Sequence, residues 1–475
     1  MTKAYGLVSV FFLAWLCAVL APPVLSGGDA ASLPSPDHLG RVGGGYLGPL
    51  TALRQMRGRY ETSPQWRDLY SETIGTDESF VGDDDAAIAD YDRKSPPPTH
   101  PALPTTLRGY RPVDARREIL ALAATHHVIF INEAHHVPMD RAFTLSLLQG
   151  LYRRGFRYFA AEALDERDAG LQSRGYPTQA TGYYTKEPVF GALVRTALHI
   201  GFRVVPYEYR PAKSPSLAAA ADPIAEEEKR EEGEAENLCR RILQRDPHAR
   251  ILVHAGYAHI YRKTMTADWP AGATGSREAR GTFVPMAVYF ERLTGIVPLC
   301  IDQSSMMAHP DPRYEDGLYR GVVSHGLAAT SPVAFVNSQG QAFVPDKMRG
   351  GYDIIVCHPP PHSRYGRPTW LNLCGPRLPV FFRHILPARR AGPILVQAFF
   401  RGEDPAQAVP ADQIEVQPAV RNPPGLLLPP GHFLLRVLDG DDTILQQRPI
   451  TVWGLRRHSP HVYRHATRID SETQL

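Results

Sequence analysis

The sequence predicts an α/β protein with a mainly parallel β-sheet and flanking helices, followed by a C-terminal β-sandwich. Three observations predict it. Five apolar runs between residues 127 and 302 each end on a side chain that binds metal or moves protons: Glu133, Glu162, Glu208, His254 and Asp302. Two of the runs, "GFRYFAAE" (155–162) and "GFRVVPYE" (201–208), are near copies. Amphipathic helical stretches alternate with the runs, as in consecutive βα units. A parallel sheet gathers the carboxyl ends of its strands along one edge, where ligands bind in open α/β folds, so the five endings are expected to converge on one site.

A chain of 475 residues with 43% hydrophobic content holds two or three domains with sizeable cores. Its 52 basic and 49 acidic side chains give a net charge of +3, and no basic tract points to nucleic acid or a membrane surface as partner. Residues 1–26 read as an export signal: Lys3, an apolar stretch from 4 to 20, a turn at Pro22 and Pro23, then the small residues Ser26, Gly27 and Gly28. No stop-transfer charges follow, so the expectation is an exported protein, periplasmic or secreted, with no membrane span after signal removal. Cys17 follows "LAWL", which lacks the small residues that precede a lipidated cysteine. Cys239, Cys300, Cys357 and Cys374 remain; in an oxidising compartment they permit disulfides, and Cys357 and Cys374 are the closest pair in sequence.

Residues 27–108 form a Pro- and Gly-rich N-terminal region, with "GDDDAA" and "KSPPPTHPALP" as linker-like stretches and amphipathic turns around 53–70. The α/β core spans 109–304. It opens with a helical pattern over 114–124 and the strand "HVIFIN"; a helix then starts near Pro138 and closes at Arg153, Arg154 and Gly155, fitting stop signals. A third helix runs over 188–200 and ends at Gly201. An insertion over 211–237 carries the run "EEEKREEGEAE", which reads as a solvated helical face. Strand four is "RILVHA", then a helix holding Met286, Val288, Tyr289 and Leu293 leads to strand five, "GIVPLCID". Residues 305–376 read as a β-rich elaboration of the sheet edge, 377–456 as a small sandwich of short alternating strands, and 457–475 as a tail.

"INEAHHVP" places Glu133, His135 and His136 where the first core strand leaves the sheet. A carboxylate and two imidazoles within four positions supply a general base and a metal or oxyanion contact, or else merely cap the next helix. Glu162 and Glu208 sit where their strands are still apolar, so ionisation there needs a partner. In "HAGYAH", His254 lies inside the strand end, Gly256 frees the backbone for a tight turn and His259 follows on the loop; Tyr257 either donates to an oxyanion or packs. Asp302 either binds a cation and orients an imidazole, or caps "QSS". Arg157 and Arg203, at the opposite strand ends, read as structural.

"FINEAHH", an amphipathic helix, "GFRYFAAEAL" and the later "HAGYAHI" resemble the erythromycin esterase-like and ChaN-like group, with a more distant similarity to TraB and Tiki proteins. The similarity covers about 113–302. In that group a Gly-Glu-x-x-His or Gly-Glu-x-His motif precedes a helix and a strand ending in Glu; here Asn132 replaces the Gly. The resemblance implies an α/β fold with its site at the strand tips, and Glu133, His136 (or His135), Glu162 and His259 as its functional residues. Both the esterase branch and the haem-uptake branch remain open.

The leading expectation is a hydrolase in which Glu133, bonded to His135 or His136, activates water against an ester, lactone or amide carbonyl, with His259 and His254 stabilising the oxyanion or the leaving group. No G-x-S-x-G elbow supports an acyl-serine route. A divalent metal ion is an open addition, with His135, His136, Glu162 and His259 as ligands and Glu208, His254 and Asp302 as further binding candidates. The alternative is a non-enzymatic haem-, iron- or metal-binding protein using the same histidines. A third is an interaction module in which the C-terminal sandwich does the binding.

Overall fold

The computed structural model describes residues 33–41, 45–97, 107–210, 223–269, 279–387, 392–417, 420 and 422–454. The expected export signal, the end of "KSPPPTHPALP" and the first part of the 211–237 insertion lie outside them.

The N-terminal region is helical: α1 (Pro36–Leu39), α2 (Leu47–Gln55), α3 (Arg57–Glu61), α4 (Arg67–Phe80) and α5 (Asp84–Asp92). This corrects the linker reading of "GDDDAA". Asp83 accepts from the Ala86 amide at 3.4 Å as the N-cap of α5, and Asp84 and Asp85 occupy its first turn, where acids complement the free amides. Leu47, Leu50, Leu53 and Ile74 of these helices pack with Leu395 and Leu438 of the C-terminal sandwich.

Eight strands form the central sheet: β1 (Tyr110–Asp114), β2 (Val128–Glu133), β3 (Tyr158–Ala161), β4 (Arg203–Pro206), β5 (Ile251–Gly256), then, past the hairpin β6 (Met265–Trp269) and β7 (Ala279–Phe283), β8 (Leu299–Met306), β9 (Val333–Asn337) and β10 (Ile354–Cys357). Their order is β1-β9-β10-β8-β2-β5-β3-β4. From β10 to β4 every pairing is parallel; β9 and β1 close one edge antiparallel. The five expected core strands are β2, β3, β4, β5 and β8, and the elaboration extends the sheet beyond β8 as β10 and β9. β1, whose Pro112 interrupts the strand pattern, is an element the sequence reading missed.

The connecting helices are α6 (Ala115–Leu122), α7 (Pro138–Arg153), the short α8 (Leu171–Arg174), α9 (Pro188–Ile200), α10 (Pro223–Leu238), which runs on as a π-helical turn over Cys239–Leu243, α11 (Met286–Thr294) and α12 (Gly317–Ser324). Strand side chains alternate between faces. Ile129, Ile131, Phe159 and Ala161 therefore meet α6, α7 and α9 on one side, while Val128, Phe130, Ala160 and Val253 meet α10 and α11 on the other. Each Leu, Ile or Phe so buried contributes about 1.5–3 kcal/mol. Gly201, at φ 107°, ends α9 in the left-handed conformation that the repeated glycine was expected to supply.

Two small ladders, β11 (Ser363–Arg364) with β12 (Arg367–Pro368) and β13 (Leu378–Val380) with β16 (Leu426–Leu428), accompany a four-stranded antiparallel sheet of β14 (Ile394–Phe400), β15 (Asp412–Val416), β17 (Gly431–Leu438) and β18 (Ile444–Val452). Val380, Leu426 and Leu428 share one core with Val396, Ile414 and Leu435, so the β13–β16 ladder packs on the four-stranded sheet as the expected C-terminal sandwich. Cys239, Cys300, Cys357 and Cys374 are free thiols, and the disulfide that their number permitted does not form: Cys357 is buried within β10, whereas Cys374 is exposed. Among the described residues no helix is long and apolar enough to cross a membrane.

Candidate functional site

Register brings the strand ends together. Glu133 pairs with Gly256 and Ile131 with His254 across β2 and β5, while Ala161 pairs with His254 across β3 and β5. The amide of Glu162 donates to the His254 carbonyl at 3.1 Å. Alternation then sorts the side chains. Glu133 takes the face of Ile131, toward α7 and α9; Glu162 takes the face of Ala160, toward α10.

On the first face Glu133 is the hub. Arg141, one turn into α7 and fully buried, donates to it through Nε at 2.6 Å and Nη2 at 3.0 Å, and reaches Glu187 at 3.2 Å. His254 Nε2 lies 2.9 Å from Oε2 and His135 Nδ1 lies 2.9 Å from Oε1. Burial opposes ionisation of Glu133, but Arg141 and His254, with the bond from His135, outweigh it and hold the carboxyl well below its usual range. An ionised carboxylate only accepts, so both imidazoles donate to it. Gln303 Nε2 donates to the Thr144 hydroxyl at 3.0 Å, and Thr144 meets His254 Nδ1 at 3.4 Å, which completes the partners of that ring. His254 is a satisfied core histidine.

On the second face Arg230 of α10 is the hub. It reaches Glu162 at 2.6 Å, Glu208 at 3.0 Å, Glu227 at 3.3 Å and Glu234 at 3.0 Å. Glu162 also accepts from the Gly256 amide at 2.5 Å. Burial works against its charge, yet His259, Arg230 and His135 bring it down to about 2. His259 sits behind Arg230, its Nδ1 2.6 Å from Glu231 and its Nε2 3.4 Å from Glu162. Burial disfavours its charge, but the carboxylates of Glu231 and Glu162 raise it to about 8. These contacts correct the reading of "EEEKREEGEAE". Glu227, Glu231 and Glu234, spaced along one face of α10, are buried, and only the opposite face meets water. That spacing was the available signal for Arg230 and its acids. For Arg141 it was a charged residue on the apolar face of α7.

His135 joins the two networks. Its ring stacks on Tyr184, with centroids 3.7 Å apart, and lies against Gly256, where a Cβ would fall 2.4 Å from His135 Nε2 and 3.2 Å from Glu162 Oε2. Only glycine leaves room for that ring. His135 keeps 13% of its side chain exposed, against 2% for Glu133, so it is the accessible member of the pair.

The remaining candidates fall elsewhere. His136 turns away from Glu133, stacks on Tyr91 of α5 with centroids 3.7 Å apart, and meets the Tyr257 hydroxyl at 3.3 Å; burial, His309 and His135 hold its basicity well below the ordinary value. Tyr257 adopts φ 40°, and its carbonyl accepts from Asn132 at 3.1 Å. Asn132, which stands where the related motif has Gly, also donates to Asp302 at 2.7 Å and accepts from the Gln303 amide at 2.8 Å, tying β2 to β8 and the turn after β5. Asp302 does not end its strand, since β8 runs on through "QSS" to Met306; it accepts from Ser304 and Ser305 besides Asn132 and stays outside the cluster. Arg157, at the far end of β3, lies over Tyr152, and Arg203 is exposed, as their positions predicted.

A cleft of about 430 Å³ opens at the ends of β3 and β4. Glu162, Glu208 and Tyr184 line its floor side, and Asp165 and Asp168 face it in ion pairs with Arg210 at 2.8 Å and Arg174 at 2.6 Å. Its lining mixes charged groups with apolar surface, and His135 is not part of it.

No family model matches the chain, and no curated protein does. Two solved structures are similar to parts of it. The type III effector HopBA1 matches 54% of this chain and 100% of its own at 11% identity and a TM-score of 0.28. RRSP, a MARTX toxin effector domain from Vibrio vulnificus CMCP6, matches 61% of this chain and 48% of its own at 14% identity and a TM-score of 0.29. Likeness this slight assigns neither family nor function.

Proposed function

We propose that the chain is a hydrolase, of the erythromycin esterase-like kind, in which the Glu133–His135 pair activates water against an ester, lactone or amide carbonyl. The observation that supports this is the 2.9 Å bond between His135 Nδ1 and a carboxylate kept ionised by Arg141. With Nδ1–H committed to Glu133, Nε2 is the nitrogen of His135 left to take a proton from water, and it lies beside Gly256 and Glu162. Water donates a proton to Nε2 as its oxygen attacks the carbonyl carbon. The imidazolium so formed lies between two carboxylates, Glu133 and Glu162, which stabilise it, and it returns the proton to the leaving oxygen or nitrogen.

Glu133 therefore serves as the orienting acid rather than as the base. Its low basicity and enclosure favour that role over the one expected from the sequence. His259 likewise holds Glu162 from behind instead of touching substrate. The test is turnover of an ester, lactone and amide panel by the full chain with His135→Gln and Glu133→Gln. Hydrolysis lost in His135→Gln and reduced in Glu133→Gln supports the reading; a panel hydrolysed equally by His135→Gln overturns it.

A further inference from the structure

We propose that Glu227, Glu231 and His259 hold a divalent cation of the zinc or manganese class, enclosed between α10 and the turn after β5. One ligand atom from each of the three lies within 4.8 Å of the other two, and all three residues are buried. Glu227 and Glu231 are one helical turn apart, so their carboxylates issue from the same side of α10. His259 brings Nδ1 to 2.6 Å from Glu231, while its Nε2 faces Arg230 and Glu162.

Two further observations ask for a cation there. Glu227 uses Oε1 on Arg230 and leaves Oε2 enclosed with no hydrogen-bond partner. Among the described residues, Glu162, Glu208, Glu227, Glu231 and Glu234 are gathered around the guanidinium of Arg230 and the imidazole of His259, and buried carboxylates without compensating charge are costly. A divalent ion supplies the missing positive charge. Two carboxylates and an imidazole suit zinc or manganese, and the absence of a thiolate from the set disfavours softer ions. Glu231 also accepts from the Met286 amide at the start of α11, so the ion would tie α10, α11 and the turn carrying His259 into one unit. The proposal does not rest on the hydrolase reading, since neither His135 nor Glu133 is a ligand, although His259 also contacts Glu162.

The experiment titrates the EDTA-stripped full chain with Zn²⁺ and with Mn²⁺ by calorimetry, followed by elemental analysis after gel filtration. One equivalent per chain is expected, with weakening of at least about tenfold in Glu227→Gln and in Glu231→Gln. Glu232→Gln, on the exposed face of α10, should bind as wild type. Absence of uptake, or stoichiometric uptake that survives in the Glu227→Gln, Glu231→Gln double variant, overturns the site. Circular dichroism identifies variants that fold. Where none does, X-ray absorption of the zinc-loaded wild type decides: one imidazole with carboxylate oxygens supports the site, and sulfur or several imidazoles overturn it. Turnover of the stripped protein reports on the hydrolase separately.

Discussion

His135 packs against the backbone of Gly256 so closely that a Cβ at that position would come within 2.4 Å of its ring. Gly256→Ala should therefore push the imidazole off the Glu133–Glu162 axis. The expected cost in stability is about 1–3 kcal/mol, typical of overpacking, with a much larger loss of hydrolysis. Thermal melting and turnover of the same preparation check this, and wild-type turnover in the alanine variant would refute it.

The adjacent histidines should separate cleanly. His135→Gln is expected to lower hydrolysis roughly 10²–10⁴-fold, the range that a general base contributes. His136→Gln loses its stacking on Tyr91 and should mainly destabilise the contact with α5, leaving turnover close to wild type. Steady-state rates for both variants decide which imidazole works, and equal losses would contradict the assignment.

Arg141 is wholly enclosed and serves both Glu133 and Glu187. Arg141→Met leaves two buried carboxylates without their cation, so a destabilisation of about 3–5 kcal/mol is expected. Adding Glu133→Gln should restore part of it by removing one stranded charge. Urea unfolding of the two singles and the double forms the cycle that measures the coupling.

Asp77 of α4 accepts from the Tyr183 hydroxyl and leaves Oδ2 buried without a partner. Burial raises it to about 7, against the opposing effects of Tyr183, Lys186 and Arg41. A raised carboxyl binds its proton more tightly folded than unfolded. Its contribution is then fully present below about pH 4 and is lost as pH rises through about 7. Asp77→Asn, which cannot ionise, should gain on wild type by about 1–3 kcal/mol between pH 5 and pH 8. Urea unfolding of both proteins at the two pH values tests the difference, and a gap independent of pH would rule the effect out.

The sequence by itself placed Glu133, Glu162, Glu208 and His254 at or near the carboxyl ends of β2, β3, β4 and β5, because apolar runs and helix stops at Gly155 and Gly201 are local signals; it ended the last core strand at Asp302, four residues short, because the polar run "QSS" gives no strand signal. It could not tell His135 from His136, since one residue of chain rotation at a strand exit separates a ring on Gly256 from a ring on Tyr91. It also misread the acids of α10 as solvated, because only folding brings Glu162 and Glu208 in beside them around the shared Arg230 and sets His259 against Glu231. Tertiary structure decided the pairing of Glu133 with Arg141 on one face and Glu162 with Arg230 on the other. The period of two along a strand sends neighbouring strand ends to opposite faces, and which helix brings an arginine to each is settled only when the layers pack.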